Sequence, residues 1–372
     1  MSAAPPVVAL ATRADEPEVR RLLRENPMAG RVRVSLEREP DAFLAAAVEG
    51  RPHHTVVARE TASGRLVGMG HRAVMDVYAN GVPARVGYLS QLRVDGAYRG
   101  RRRLLARGYD LLAAQRGPDE EPFDLTSIMA DNEPALRLLG AGVPGLPTYR
   151  PLGRFVTLVI STWRAPRWDG RPPVEAARPE HALEIAACLD RNAARYQLAR
   201  RWLAADLASN ERCPGLRPGD FRLAFGRGGR VTGTAALWDQ SAFKQVVVRG
   251  YSPAVARARW WINRGAWLLG APRLPAPGRA LPHAYLSHVA VDGDDTSVFE
   301  RLLAAIMAEA SRRRYAYVVA GFAERHPFLA VIRRRCRTRE YASVLHLVYG
   351  RDGAQEVSRL DGRAPHVEVA LL

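Results

Sequence analysis

The sequence predicts an α/β protein of layered α+β type, built as two tandem copies of one domain. Three observations carry that reading. The decapeptide GYLSQLRVDG beginning at Gly87 returns as AYLSHVAVDG at Ala284, with six of ten positions identical, and a strand that recurs so far along a chain marks a duplicated unit. At 372 residues the chain has room for two domains, each with its own core. The order of periodic segments in the first half, helices then strands then alternating helix and strand, also recurs in the second.

Residues 7–12 alternate as a first strand, followed by a helix over 16–24 that Pro27 stops. A second short helix covers 41–48. Residues 54–59, 66–78 and 85–94 are strand-like, and Asn80-Gly81 marks a hairpin turn between the last two. Residues 100–115 show helical spacing in Leu104, Leu105, Tyr109, Leu111 and Leu112. A buried strand at 123–129, a helix at 133–139 and a strand at 155–160 close the first domain, residues 1–163. A linker at 164–173, RAPRWDGRPP, separates it from the second, residues 174–350.

In the second copy a strand at 174–178 leads to a long helix at 181–201. Strands at 221–225 and 231–236 follow, and 246–251 is expected as the far arm of a hairpin. A strand at 285–291, a helix at 297–310, a strand at 315–320, a helix at 327–332 and a strand at 343–349 complete the pass. The tail, 351–372, alternates at 366–372 like a strand returning to either sheet. Residues 255–269, VARARWWINRGAWLL, have no counterpart in the first copy. A Trp/Arg helix can lie on a membrane interface, but the expectation is a connecting helix packed between domains.

The hydrophobic fraction of 47% and charged fraction of 25% are those of a folded globular chain. No apolar run reaches the roughly 18 residues of a membrane span, and the first residues lack the basic region of an export signal, so the expected location is cytoplasmic. Cys188, Cys213 and Cys336 are isolated, with no CxxC spacing, so neither disulfides nor a metal site is expected. The net charge is +17 and the sequence pI about 10.7. Almost all of the positive charge is arginine, Lys244 being the single lysine, a bias that genomic base composition explains. The sign of the charge favours anionic partners: a phosphorylated cofactor, an acidic acyl carrier protein or nucleic acid such as tRNA. The alternative is a solvated arginine-rich surface.

The two copies of the repeat leave into different turns. The first passes from Val94-Asp95 through Arg99-Gly100-Arg101-Arg102-Arg103 into a helix; the second passes through Asp294-Asp295. A helix N-terminus offers amides without intrahelical acceptors and the positive end of the macrodipole. Four arginines among five residues add forked donors suited to phosphate oxygens, whereas two carboxylates would repel them. The alternative for the arginine turn is again a solvated helix start.

With Asn132 opening the helix after the next strand, the chain resembles the GCN5-related N-acetyltransferases, in a tandem arrangement over nearly its whole length. In that family a Val-Asp-Pro-like strand end precedes Arg/Gln-x-x-Gly-x-Gly/Ala, whose amides cradle the pyrophosphate of acetyl-CoA. Arg99 takes the first position here; Arg102 replaces the first glycine and Leu104 the final glycine or alanine. The resemblance implies, in each half, a mixed and mostly antiparallel sheet flanked by helices. It implies acetyl-CoA or another acyl-CoA as cofactor, held by Leu92, Val94, Arg99, Gly100, Arg101, Arg102, Arg103, Leu104 and Asn132.

Acyl transfer to an amine needs a neutral nucleophile, a polarised thioester and a proton for the leaving thiolate. The family's base positions, four and six residues before the strand-end valine on the face that meets the acceptor, fall on Ser90 and Tyr88, neither a ready base at pH 7, which leaves Tyr88 a substrate-binding role, while Gln91 and Arg93 alternate to the other face. Deprotonation would then fall to a water chain or to neighbouring groups such as His71 or Asp76. Tyr149 is the nearest substitute for the family's proton-donating tyrosine, with ordinary packing as its alternative. In the second copy Trp238, Asp239, Gln240 and Lys244 suit recognition of a small polar acceptor or, equally, an exposed turn. The leading expectation is an N-acyltransferase acting on a small-molecule amine, active in the first domain. The alternatives are a tandem-fold transferase using aminoacyl-tRNA and a non-catalytic binding protein.

Overall fold

The computed structural model describes residues 5–28, 30–163, 174–269 and 271–372. The expected linker at 164–173 lies outside them. The first pass contains β1 Val7–Leu10, α1 Glu16–Glu25, β2 Val32–Glu37, α2 Ala42–Glu49, β3 His53–Arg59, β4 Leu66–Ala79 and β5 Val82–Val94. It continues through α3 Arg102–Ala113, β6 Phe123–Met129, α4 Glu133–Gly140 and β7 Thr148–Ser161. The second contains β8 Glu175–Ala176, α5 Ala182–Ala193, β9 Ala199–Arg200, α6 Ala204–Ala208, β10 Phe221–Phe225, β11 Val231–Trp238, β12 Gln245–Tyr251 and α7 Pro253–Leu269. After these come β13 His283–Val291, α8 Thr296–Arg312, β14 Tyr317–Ala323, α9 Pro327–Arg335, β15 Thr338–Tyr349 and α10 Ala354–Ser358.

The strands join in one sheet of 13, in the order β1-β3-β4-β5-β6-β15-β7-β14-β13-β11-β10-β8, with β9 on β4. Only β5/β6 and β13/β14 are parallel among the described pairs, so the sheet is mainly antiparallel and flanked by helices. The two passes exchange their last strands. β15 lies between β6 and β7, running from Thr338 opposite Ile160 to Tyr349 opposite Thr148, while β7 pairs with β14. One hydrophobic cluster accordingly spans both passes, with Val86, Tyr88 and Leu125 packed with Phe221, Trp238, Tyr285 and Leu345.

Most expected elements form for the reasons their patterns suggest. Asn80 and Gly81 take positive φ, 54° and 78°, as a two-residue hairpin requires. Asp41 caps α2 by accepting from Phe43 N and Leu44 N, and α1 turns Val19, Leu22 and Leu23 toward Val57, Leu66 and Met69.

Four expectations need correction. The helix expected over 181–201 stops at Ala193. Leu198 sits in the left-handed region, φ 60°, and Ala199 and Arg200 instead pair with Tyr78 and Val77. The hairpin expected to include 246–251 does not close, because β12 pairs with β2 of the first pass. Gln245 fixes that pairing: its side chain accepts from Glu39 N and donates to Glu39 O. The helix expected between domains, α7, has only Ala266 buried and leaves Trp260, Trp261 and Trp267 exposed. The tail expected to return as a strand makes a single bridge at Pro365 and then turns as a short 3-10 helix at Val369–Leu371, packed against β13 and β14.

Candidate active site

β5 and β6 run side by side only from Gly87/Asp124 to Leu89/Thr126. Gln91 then takes a positive φ of 54° and the register against β4 slips between Met69 and His71. A bulge of this kind bends its strand and re-aims side chains. Beyond Leu89, β5 leaves β6 and a notch opens between them. Gly87 permits the close start of this pairing. A Cβ there would sit 1.9 Å from Asp124 Oδ1 and 2.6 Å from Arg72 Nε, the two ends of a buried ion pair at 2.9 Å.

The notch leads to the arginine turn. Val94 is half-buried and Leu92 exposed. A 3-10 turn at Gly96–Tyr98 is followed by Gly100, with φ 80° and open space where a Cβ would be. α3 then begins, and its first amides, at Arg102 and Arg103, precede any intrahelical acceptor. Arg99, Arg101, Arg102 and Arg103 are all exposed. Arg101 stacks on the Tyr98 ring at 4.6 Å, and Arg99 Nε donates weakly to Val94 O at 3.4 Å. Among the described residues none of the four is ion-paired with a carboxylate, although arginine–carboxylate pairs are numerous elsewhere. Leu104 is half-buried behind the turn, and Asn132, exposed, caps α4 through Ala135 N at 3.4 Å.

On the α2 side of the sheet lies a charged cluster that sequence reasoning only half identified. Ser90 Oγ donates to Glu49 Oε2 at 2.8 Å. Arg38 Nη2 pairs with the other carboxylate oxygen, both groups being buried. His71 Nε2 stands 3.9 Å from Glu49 Oε2 and has no hydrogen-bond partner among the described residues; its Nδ1 meets Thr55 Oγ1 at 3.0 Å. Burial pulls the His71 pKa down to about 4, with Glu49 opposing that shift. The ring is therefore neutral near pH 7. Tyr88 is buried beside this group, and burial first and then Glu49 push its hydroxyl far above the usual phenol range. Glu49 is the residue sequence reasoning missed. It is the one charged side chain in the apolar segment AFLAAAVE, and that isolation was the available signal. Gly50 seats it: a Cβ there would fall 2.2 Å from Val74 O, so α2 ends pressed against β4.

The other candidates are spread out. Asp76 is exposed, 3.9 Å from Arg85, an odd number of positions from His71 and hence on the opposite sheet face. Tyr149 packs with Leu89, Leu112 and Val348 on the α3 side, hydrogen-bonds the Tyr109 hydroxyl and lies 5.9 Å from the His346 ring. Leu89 and Ser90 alternate across β5, so the sheet separates Tyr149 from Ser90. Trp238 is fully buried and donates to Pro214 O at 2.9 Å. Asp239 accepts from the Tyr315 hydroxyl at 2.8 Å, and Gln240 is buried with its amide unpartnered among the described residues. Lys244 is also buried. Its Nζ donates to Ala370 O at 3.0 Å and Leu372 O at 2.7 Å and sits 5.0 Å over the Tyr285 ring. Burial, then Arg38, bring its pKa down to about 7.

An open groove of about 490 Å³ runs past Thr12, Arg13, Asp41, Phe43, His53 and His54. Glu49, Arg38, His71 and Ser90 do not line it; His53, on its wall, packs against the His71 ring at 5.7 Å. No group of three or more metal-ligating side chains is found among the described residues, and none of their helices is long and apolar enough to cross a membrane.

The second copy of the repeat shows the same backbone device in a different state. β13 and β14 pair in parallel from His283/Tyr317 to Tyr285/Val319, and His288 takes φ 51° where the register against β11 slips. Here the bulge amide has an acceptor: His288 N donates to Glu368 Oε2 at 2.8 Å. Asp295 caps α8 by accepting from Ser297 N and Val298 N, and Asp294 accepts from Arg195 and from the Tyr196 hydroxyl. Both anion-seeking groups of this copy are thus filled from within the chain.

No family model matches the sequence, and no curated protein matches it. Solved structures do. Saccharomyces cerevisiae N-myristoyltransferase with bound myristoyl-CoA superposes with a TM-score of 0.60 at 12% identity, over 94% of this chain and 80% of that one. A GCN5-related N-acetyltransferase from Sphaerobacter thermophilus gives 0.55 at 14% identity, over 92% and 95%. The GCN5-related glucosamine N-acetyltransferase region of a fungal multi-domain GH3 β-N-acetylglucosaminidase gives 0.59 at 12% identity, over 93% of this chain and 38% of that one. With its mainly antiparallel sheet, its two notched parallel pairs and these likenesses, the chain has the tandem GCN5-related N-acetyltransferase fold that N-myristoyltransferases also adopt.

Proposed function

We propose that this protein is an acyl-CoA-dependent N-acyltransferase, with acetyl-CoA as the cofactor and a small-molecule amine as the acceptor. The observation that carries the reading is the β5/β6 notch opening onto an exposed helix start whose four arginines have no carboxylate partner among the described residues. Helix-start amides and guanidinium forks suit a pyrophosphate. In this reading Arg99, Gly100, Arg101, Arg102 and Arg103 hold it, with Leu104 and Asn132 flanking. Leu92 and Val94 would line the pantetheine arm, and the bend at Gln91 would face its thioester. The neighbours that hold myristoyl-CoA in the same fold support an acyl-CoA ligand.

The acceptor enters along the groove by His53, whose ring packs against His71 of the charged cluster. A bound acyl-CoA would supply the thioester carbon that the acceptor's nitrogen attacks and the thiolate that leaves as the C–S bond breaks. The nitrogen gives up one proton as the C–N bond forms. Glu49 takes that proton through the Ser90 hydroxyl, to which it is already hydrogen-bonded. Arg38 holds the carboxylate in place, and neutral His71 leaves its charge unopposed on that side.

Glu49→Gln keeps the shape and removes the proton acceptor. The expected outcome is a loss of roughly 10²-fold or more in kcat, with KM for acetyl-CoA within about threefold, read by thiol release against a panel of amines. Full activity in that variant would remove Glu49 from the mechanism. Absence of acetyl-CoA binding by the intact chain in calorimetry would sink the reading as a whole.

A further inference from the structure

The helix α7 departs from how the rest of the chain treats its aromatic residues. Trp202 and Trp238 are buried, whereas Trp260, Trp261 and Trp267 are 58%, 70% and 65% exposed, and Leu268 and Leu269 are also exposed. Arg257, Trp260, Trp261, Arg264, Trp267 and Leu268 follow three- and four-residue spacing, which places them on one helix face. Ala266, on the opposite face, is the buried residue. That inner face is fastened to the protein. Asn263 Nδ2 donates to Leu274 O at 3.0 Å, its Oδ1 accepts from Leu274 N at 2.7 Å, and Arg259 Nε donates to Leu274 O at 3.3 Å. The outer face is thus held outward with nothing among the described residues covering it.

Charge selects the occupant. From Gln240 to Val291 the sequence has no Asp or Glu, while Arg257, Arg259, Arg264, Arg273 and Arg279 fall within it. Arg264 stacks at 5.5 Å on the Trp260 ring, and neither Arg257 nor Arg264 is ion-paired with a carboxylate among the described residues. The Trp260 and Trp261 rings meet edge-on at 4.3 Å, and both are more than half exposed. Tryptophan rings partition to the level of lipid headgroups, and an arginine-bearing helix with a Trp/Leu face lies in that plane, strengthened by anionic lipid. No described helix is long and apolar enough to cross a bilayer, so α7 rests on the surface.

We infer that α7 docks this protein on anionic lipid bilayers, with Trp260, Trp261, Trp267 and Leu268 in the interface and Arg257 and Arg264 on the headgroup phosphates. The inference does not depend on the acyltransferase reading. The test is co-sedimentation of the full chain with vesicles of phosphatidylcholine alone and of phosphatidylcholine with 30% phosphatidylglycerol (about three in ten lipids, a common anionic fraction). The expected result is binding to the anionic vesicles at least tenfold tighter than to the neutral ones. The triple variant Trp260→Ser, Trp261→Ser, Trp267→Ser should lose at least tenfold of that binding with an unchanged thermal melt, and Arg257→Gln with Arg264→Gln should lose severalfold. Lipids brominated near the headgroup should quench the wild-type fluorescence and leave the triple variant's unquenched. Binding that survives in the triple variant would assign adhesion to the basic surface at large and overturn the inference. So would a wild-type dimer in light scattering that the triple variant dissolves, since a second copy would then be the occupant.

Discussion

The two copies of the YLS-VDG strand share a backbone and differ in what fills it. Both bend at the same repeat position, Gln91 and His288, each with positive φ, and both leave a parallel partner after three paired rows. In the second copy Glu368 accepts the bulge amide and Asp295 caps the following helix. In the first copy the turn carries four exposed arginines instead. The same backbone thus has its amides satisfied from within the chain in one copy and left facing an arginine-rich turn in the other.

The largest expected effect comes from reversing that difference in the first copy. Arg101→Glu, Arg102→Glu and Arg103→Glu together should weaken acetyl-CoA binding by roughly 10³-fold, since each charge-assisted hydrogen bond contributes about 1.5–3 kcal/mol. Asp295→Ala in the second copy should leave that affinity unchanged, and calorimetry on both variants reads the contrast directly. Equal losses in the two would show that the copies are not divided in this way.

A smaller effect should follow from making the strands more alike. Gly87 aligns with Ala284, yet only Gly87 faces the Arg72–Asp124 pair. Gly87→Ala should cost about 2–3 kcal/mol in urea unfolding, because the methyl overpacks the site and disturbs a buried ion pair. Ala284→Gly should cost about 1 kcal/mol, the usual penalty for glycine within a strand. The reverse order would mean that the Arg72 pair yields freely.

The most graded effect is on pH dependence. Burial lowers the pKa of His288 to about 3 and of His326 and His366 to about 4 in the second half, against His71 at about 4 in the first. A histidine depressed in the folded state takes up its proton on unfolding, so stability is present above its ordinary pKa near 6.5 and is lost as pH falls toward 4. The slope is about 1.4 kcal/mol per pH unit for each such group. Urea midpoints should therefore fall between pH 6.5 and pH 4.5, and His366→Asn should flatten that fall more than His54→Asn, whose ring is less buried.

Local order was legible in the sequence; long-range partnership was not. Apolar, strand-forming runs placed β4, β5, β6 and β13, most of whose residues are buried or half-buried, and the hairpin at Asn80-Gly81 followed from turn chemistry. β2 escaped notice because VRVSLE is a strand only by virtue of β12, more than 200 residues later. The bulges at Gln91 and His288 left no trace in composition, since neither is a glycine. Arg99 to Arg103 could be read as an anion site from their spacing at a helix start. Glu49 stood out in the sequence only as a lone charge in an apolar helix, because its surroundings depend on Gly50 pressing α2 against β4 and on Ser90 lying one strand over.

The exchange of β7 and β15 bears on how this chain is made. During synthesis β6 and β7 emerge long before residues 338–349, the strand that must lie between them. Until then the first half holds two unsatisfied strand edges, the kind of surface on which chains join one another. Such late, distant pairing slows folding and extends the period in which an incomplete domain is exposed. A chain halted before Thr338 would leave its sheet open between β6 and β7.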